Sequence, residues 1–173
     1  MAQKSALPTL AFIVILIQFM MTASSLPDGV YRFQYHFTGG GASTRYLQDV
    51  HDFDTHDYGI PYLTPTYEKG KGDWRIVNQP NDTIRLQNVR YMKYLGIRRD
   101  LRRKLDITTS KTNTDTWRLV SNGDGRFFLE FSQPEKGFTH PVVGLKAVYG
   151  TYDFGLFAKA SHPEMTFVVS PVN

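Results

Sequence analysis

Trp74-Arg75-Ile76-Val77-Asn78 returns, about 40–50 residues further on, as Trp117-Arg118-Leu119-Val120-Ser121-Asn122. Met165-Thr166-Phe167-Val168-Val169-Ser170 is a worn third copy, with Phe167 in the tryptophan's place. Outward from these anchors, other landmarks recur in the same order. Val30-Tyr31-Arg32-Phe33, Thr83-Ile84-Arg85-Leu86 and Arg126-Phe127-Phe128-Leu129 each open a unit with alternating side chains. Arg45-Tyr46-Leu47, Lys93-Tyr94-Leu95-Gly96-Ile97 and Val143-Gly144-Leu145-Lys146 follow as second strands, and third strands are expected near residues 62–67, 104–108 and 153–158. The tryptophan and phenylalanine segments close each unit as its fourth strand.

Tyr, Phe, Val, Ile and Thr come in short runs separated by Gly, Pro, Asn and Asp, and no stretch sustains a helical period, so the chain reads as all-β. Three four-stranded units are too few for a propeller, which takes four blades or more. Three units closing on a shared core predict a β-trefoil, with units over about 26–79, 80–123 and 124–173. Trp74, Trp117 and Phe167 are large and sit at equivalent points, so they are read as core and not as a ligand platform.

Residues 1–25 stand apart from this pattern. Lys4 supplies a positive start, residues 10–21 are apolar apart from Gln18, and Thr22-Ala23-Ser24-Ser25 provides small residues for cleavage. A cleaved signal peptide is expected, with 26–173 as the secreted, extracellular domain; an uncleaved anchor is the alternative. The apolar run is short for a bilayer crossing, which takes roughly 20 residues, and no later segment spans one. With no cysteine, the core is expected to hold without disulfides, and thiol chemistry is excluded. Asn81-Asp82-Thr83 is a candidate N-glycosylation sequon at Asn81 in a turn-like stretch.

The run from Asp28-Gly29-Val30-Tyr31-Arg32-Phe33 through the Tyr-Leu and Trp-Arg segments resembles ricin-type trefoil lectins. It also resembles the fungal trefoil peptidase inhibitors, the mycocypins and the fungal Kunitz-like group. The shared residues are those that build a core, so the likeness speaks to fold before ligand. The lectin resemblance implies a Gln-x-Trp signature that is replaced here by Gly72, Asp115 and Met165. It leaves Asp49 after the second strand, with Tyr58 and Tyr62 for sugar stacking, as a candidate site in the first unit. The inhibitor resemblance implies a glycine-bearing loop for papain-like cysteine peptidases, here Gly39, Gly40 and Gly41, and Asn88 for legumain-type peptidases. A Kunitz-type trypsin inhibitor would present Lys or Arg, and Asn78-Gln79-Pro80-Asn81-Asp82 has neither.

Without Lys4 the chain carries 19 basic and 16 acidic residues. Arg98-Arg99-Asp100-Leu101-Arg102-Arg103-Lys104 holds five of those cations, so the positive charge is a local patch and the remainder is near neutral. A patch of this kind suits an anionic glycan and not nucleic acid. Arg98, Arg99, Arg102, Arg103 and Lys104 are the candidate anion-binding residues. The segment 49–58 holds two histidines and four aspartates, but their spacing fits no metal motif, so it is read as a solvated loop and no metal or cofactor is expected. No pair of acids is placed for glycoside hydrolysis. The expectation is a binding protein, not an enzyme, whose partner is a glycan or polysaccharide, with a cysteine peptidase as the alternative.

Overall fold

Strict alternation builds the first strand. In β1 (Gly29–Phe37), Tyr31, Phe33 and Tyr35 are buried, while Arg32, Gln34 and His36 stand on the other face. The computed structural model describes residues 26–37, 43–50, 58–99, 105–133, 141–148, 151–158 and 166–173. Eleven further strands follow: β2 (Ser43–Val50), β3 (Tyr58–Thr64), β4 (Asp73–Gln79), β5 (Thr83–Asn88), β6 (Tyr94–Arg99), β7 (Leu105–Ser110), β8 (Trp117–Ser121), β9 (Phe127–Phe131), β10 (Pro141–Val148), β11 (Thr151–Ala158) and β12 (Phe167–Pro171). There is no helix among the described residues.

Six strands close on themselves. β1 pairs with β12, β12 with β9, β9 with β8, β8 with β5, β5 with β4, and β4 again with β1, all antiparallel. A closed ring leaves no edge strand open to foreign pairing. The other six form three hairpins, β2–β3, β6–β7 and β10–β11. Their third strands meet one another, β3 on β7 and β7 on β11. A ring of six carrying three hairpins is a trefoil-like architecture.

The core lies where the repeats predict it. Trp74 and Trp117 are completely buried and Phe167 is 1% exposed. A buried indole N–H requires an acceptor. Trp74 donates to the Leu47 carbonyl at 2.9 Å and Trp117 to the Leu95 carbonyl at 3.1 Å, the same residue in successive copies. Phe167 has no such donor and packs edge-on against Phe33, with centroids 6.0 Å apart. Val143, buried on β10, takes the place held by Leu47 and Leu95.

The third strand of the first copy departs from the sequence reading. It ends at Thr64, earlier than the expected 62–67, and Tyr67 lies in the loop that follows. Pro65 has no N–H for a ladder, and Gln48 draws the chain away instead. The Gln48 amide donates to the Thr66 carbonyl at 2.6 Å and to the Thr64 hydroxyl, and its oxygen accepts the Glu68 N–H at 3.0 Å.

Candidate functional site

Strand register places one set of side chains on the outer face of β1, β2 and β3. Gln34 faces Tyr46 across β1–β2, and His36 faces Thr44. Across β2–β3, Tyr46 faces Thr64 and Gln48 faces Tyr62. Directly opposed residues share a face, so Gln34, Tyr46, Tyr62 and Thr64 lie together, and all are half-buried. The loop pinned by Gln48 returns Tyr67 to this face. Its ring lies 5.5 Å from that of Tyr46, and the Arg32 guanidinium sits 3.8 Å from the Tyr67 centroid.

Tyr67 is held firmly. Its hydroxyl donates to Asp73 Oδ1 at 2.6 Å, while the other Asp73 oxygen accepts the Gly70 N–H at 2.7 Å. Burial, followed by the Asp73 carboxylate, raises the phenol above its usual pKa, with Arg32 opposing. The group therefore remains a protonated donor at neutral pH. Gly72 leaves the space this requires, since a Cβ there would stand 3.0 Å from the Tyr67 ring and 3.3 Å from Gln48 Cγ.

The second copy reverses that exchange. Gly96 stands where the first copy has Gln48, and a Cβ on it would overlap Asn113. Asp115 stands where the first copy has Gly72, and its carboxylate accepts the Ile97 N–H at 2.8 Å. The position that carries glutamine in the Gln-x-Trp signature thus supports a strand here. It does not hold a ligand-binding aspartate.

Asp49 must be removed from the expected sugar site. It is completely buried, its N–H donates to the Lys71 carbonyl at 3.0 Å, and its carboxylate accepts the Thr109 hydroxyl at 2.9 Å. Gly59 lies directly against that carboxylate. The residue ties the first hairpin to β7, and no sugar hydroxyl reaches it. Tyr58 begins β3, but its side chain lies outside the described residues, whereas Tyr62 stays on the outer face and packs in part against the core.

Asn88 is also an internal brace and not a presented residue. It is completely buried, donates to the Lys71 carbonyl at 2.7 Å, and accepts the Arg90 and Tyr91 N–H groups at 3.1 Å each. A legumain-type peptidase needs that side chain in its own pocket, so the burial counts against this role. Asn88→Ala is expected to lower stability by about 1–3 kcal/mol, because it removes the bracket that ties the Lys71 carbonyl to the Arg90 and Tyr91 amides, even though that carbonyl keeps the Asp49 N–H and the Arg90 N–H keeps the Gly70 carbonyl. Urea denaturation checks this, and an unchanged midpoint would mean the loop does not depend on the bracket.

The remaining candidates divide by location. Arg98 is exposed on β6, opposite Asp106, and Arg99 is opposite Leu105. Arg102, Arg103 and Lys104 lie outside the described residues, as do Gly39, Gly40, Gly41 and most of the His/Asp loop. Asn81 is exposed at the tip of the β4–β5 hairpin with φ 62°, beside Asp82 at φ 54°. No group of three or more histidines and carboxylates is arranged to hold a metal among the described residues. The sequence reading did not single out Gln34, Tyr46 or Tyr67. Alternation in β1 and β2 signals the first two, but the return of Tyr67 depends on a loop contact.

No protein-family model matches the sequence, and no curated protein does. Solved structures do match by fold. The Rhizoctonia solani agglutinin aligns with TM-score 0.66 and 16% identity over 86% of this chain and 98% of its own. The fold is β-trefoil-like. The designed three-fold symmetric protein ThreeFoil aligns at TM-score 0.63 and 14% identity, over 82% of this chain and 99% of its own. A Culex quinquefasciatus salivary protein of the cysteine and tryptophan-rich family aligns at 0.63 and 13%, over 88% and 99%. At such identities the shared property is the fold.

Proposed function

We propose that this chain is a secreted, non-catalytic, lectin-like protein, and that a sugar rests on the outer face of β1, β2 and β3. The observation that carries the reading is the pairing of two half-buried tyrosines, Tyr46 and Tyr62, with the Gln34 amide on one sheet face. A saccharide presents a C–H face and a rim of hydroxyls. An aromatic ring accepts the first, and a planar amide, which both donates and accepts, satisfies the second. The rigid β-sheet and the Gln48 staple fix these groups before any ligand arrives, which reduces the ordering cost of binding. The shared fold with an agglutinin supports the same reading.

A glycan array probed with the domain over residues 26–173 tests it. Retention of at least one glycan class is expected, and Tyr62→Ala should weaken that binding about tenfold or more, as loss of an aromatic anchor does. The melting temperature should change little, since Tyr62 is only half-buried. An array with no signal, or a Tyr62→Ala protein that binds like the parent, removes the proposal.

A further inference from the structure

Arg32 borders the proposed sugar face with its guanidinium stacked on a tyrosine ring. Its guanidinium lies 3.8 Å from the Tyr67 centroid and 6.0 Å from that of Tyr46. Among the described residues no carboxylate forms an ion pair with it; Asp73, opposite it on β4, bonds the Tyr67 hydroxyl and the Gly70 amide. Arg32 Nε is sealed from solvent and has no acceptor. The second copy repeats the stack, with Arg85 3.8 Å from the Tyr94 centroid and its Nε likewise sealed without an acceptor, but there Nη2 donates to the Asn113 carbonyl. Only the first of the two stacks borders the tyrosine and amide face.

A guanidinium presents a planar fork that matches the two oxygens of a carboxylate or a sulfate. Stacking on Tyr67 fixes the plane of that fork, so little further side-chain freedom is lost when an anion docks. We infer that the glycan taken by this face is anionic, with a carboxylate or sulfate group set beside the ring on the tyrosines, and that Arg32 reads that charge. The inference rests on the carbohydrate-binding reading and adds the class of sugar to it. It is separate from the basic β6–β7 segment, which belongs to the second copy.

Isothermal titration with a galacturonate oligomer, its methyl ester and a sulfated galactose oligomer tests it at physiological salt. The free acid or the sulfated oligomer should bind about tenfold or more tighter than the ester, and whichever leads identifies the anion. Arg32→Gln should bring that ratio close to one at an unchanged melting temperature. Should Arg32→Gln fail to fold, Arg32→Lys, which keeps the charge but loses the fork, should show a ratio reduced severalfold. Equal binding of acid, sulfate and ester overturns the inference, and so does a preference that survives Arg32→Gln or disappears instead with Arg98→Ser. Tyr62-dependent binding of the ester alone would leave the carbohydrate reading standing; absence of binding to all three oligomers overturns the inference, and the carbohydrate reading falls with it only when the glycan array is silent as well.

Discussion

Trp117→Ala is expected to lose about 3–5 kcal/mol of folding free energy, out of the roughly 5–15 kcal/mol that a domain typically has. The indole is completely buried, stacks edge-on with Phe131 at 5.3 Å, and satisfies the Leu95 carbonyl. Truncation therefore removes packing, opens a cavity and strands an acceptor together. Trp117→Phe separates these effects, because it keeps most of the ring and loses only the donor, at about 1 kcal/mol. The third copy already uses this arrangement, with Phe167 at the equivalent point. Chemical denaturation of both variants reads the difference. If Trp117→Ala were as stable as Trp117→Phe, the residue would not be a core element.

The second large effect is expected at Gly59, where β3 meets β7. A Cβ there would overlap the Thr109 hydroxyl and come within 2.5 Å of Asp49 Oδ1. Gly59→Ala must therefore push apart a buried hydroxyl–carboxylate bond, and the Thr108 hydroxyl that donates to the Gly59 carbonyl at 2.8 Å moves with it. Overpacking combined with a disturbed buried polar pair costs about 2–4 kcal/mol. Hydrogen exchange should rise first along β3 and β7. A variant with parental stability and parental exchange at Thr109 would show that the junction yields without cost.

How far the sequence reveals this molecule depends on which force acts at each position. Trp74, Trp117 and Phe167 were legible because burial demands a large apolar side chain at a fixed point of every copy. Asp49 was misread as a ligand group because its residue type outweighed its phase. Strand alternation puts it on the face of Leu47, and the second copy holds the buried Ile97 at the matching place. That alignment is visible in the sequence and signals an inward position. Asn88, which the inhibitor resemblance offers to a peptidase, is the last residue of β5 and closes the following turn from inside. The exchange of Gln48 and Gly72 for Gly96 and Asp115 is not legible locally. In the first copy Gln48 and Tyr67 fill the space beside Gly72, whereas in the second Asn113 fills the space beside Gly96 and Asp115 takes the Ile97 N–H, and only the assembled loops show this.

The closed ring also sets an order of events for the growing chain. β1 pairs with β12 as well as β4, and the Val172 amide donates to the Val30 carbonyl, so the first strand completes its pairing only when the last has been made. Contacts this distant in sequence slow folding, because loop entropy is spent long before the pairing returns it. Until then Tyr31, Phe33 and Tyr35 line a strand with one unpaired edge. Nascent chains of this protein are therefore vulnerable at their beginning, and a chaperone that shields β1 during synthesis should raise the yield of folded protein more than one acting after release.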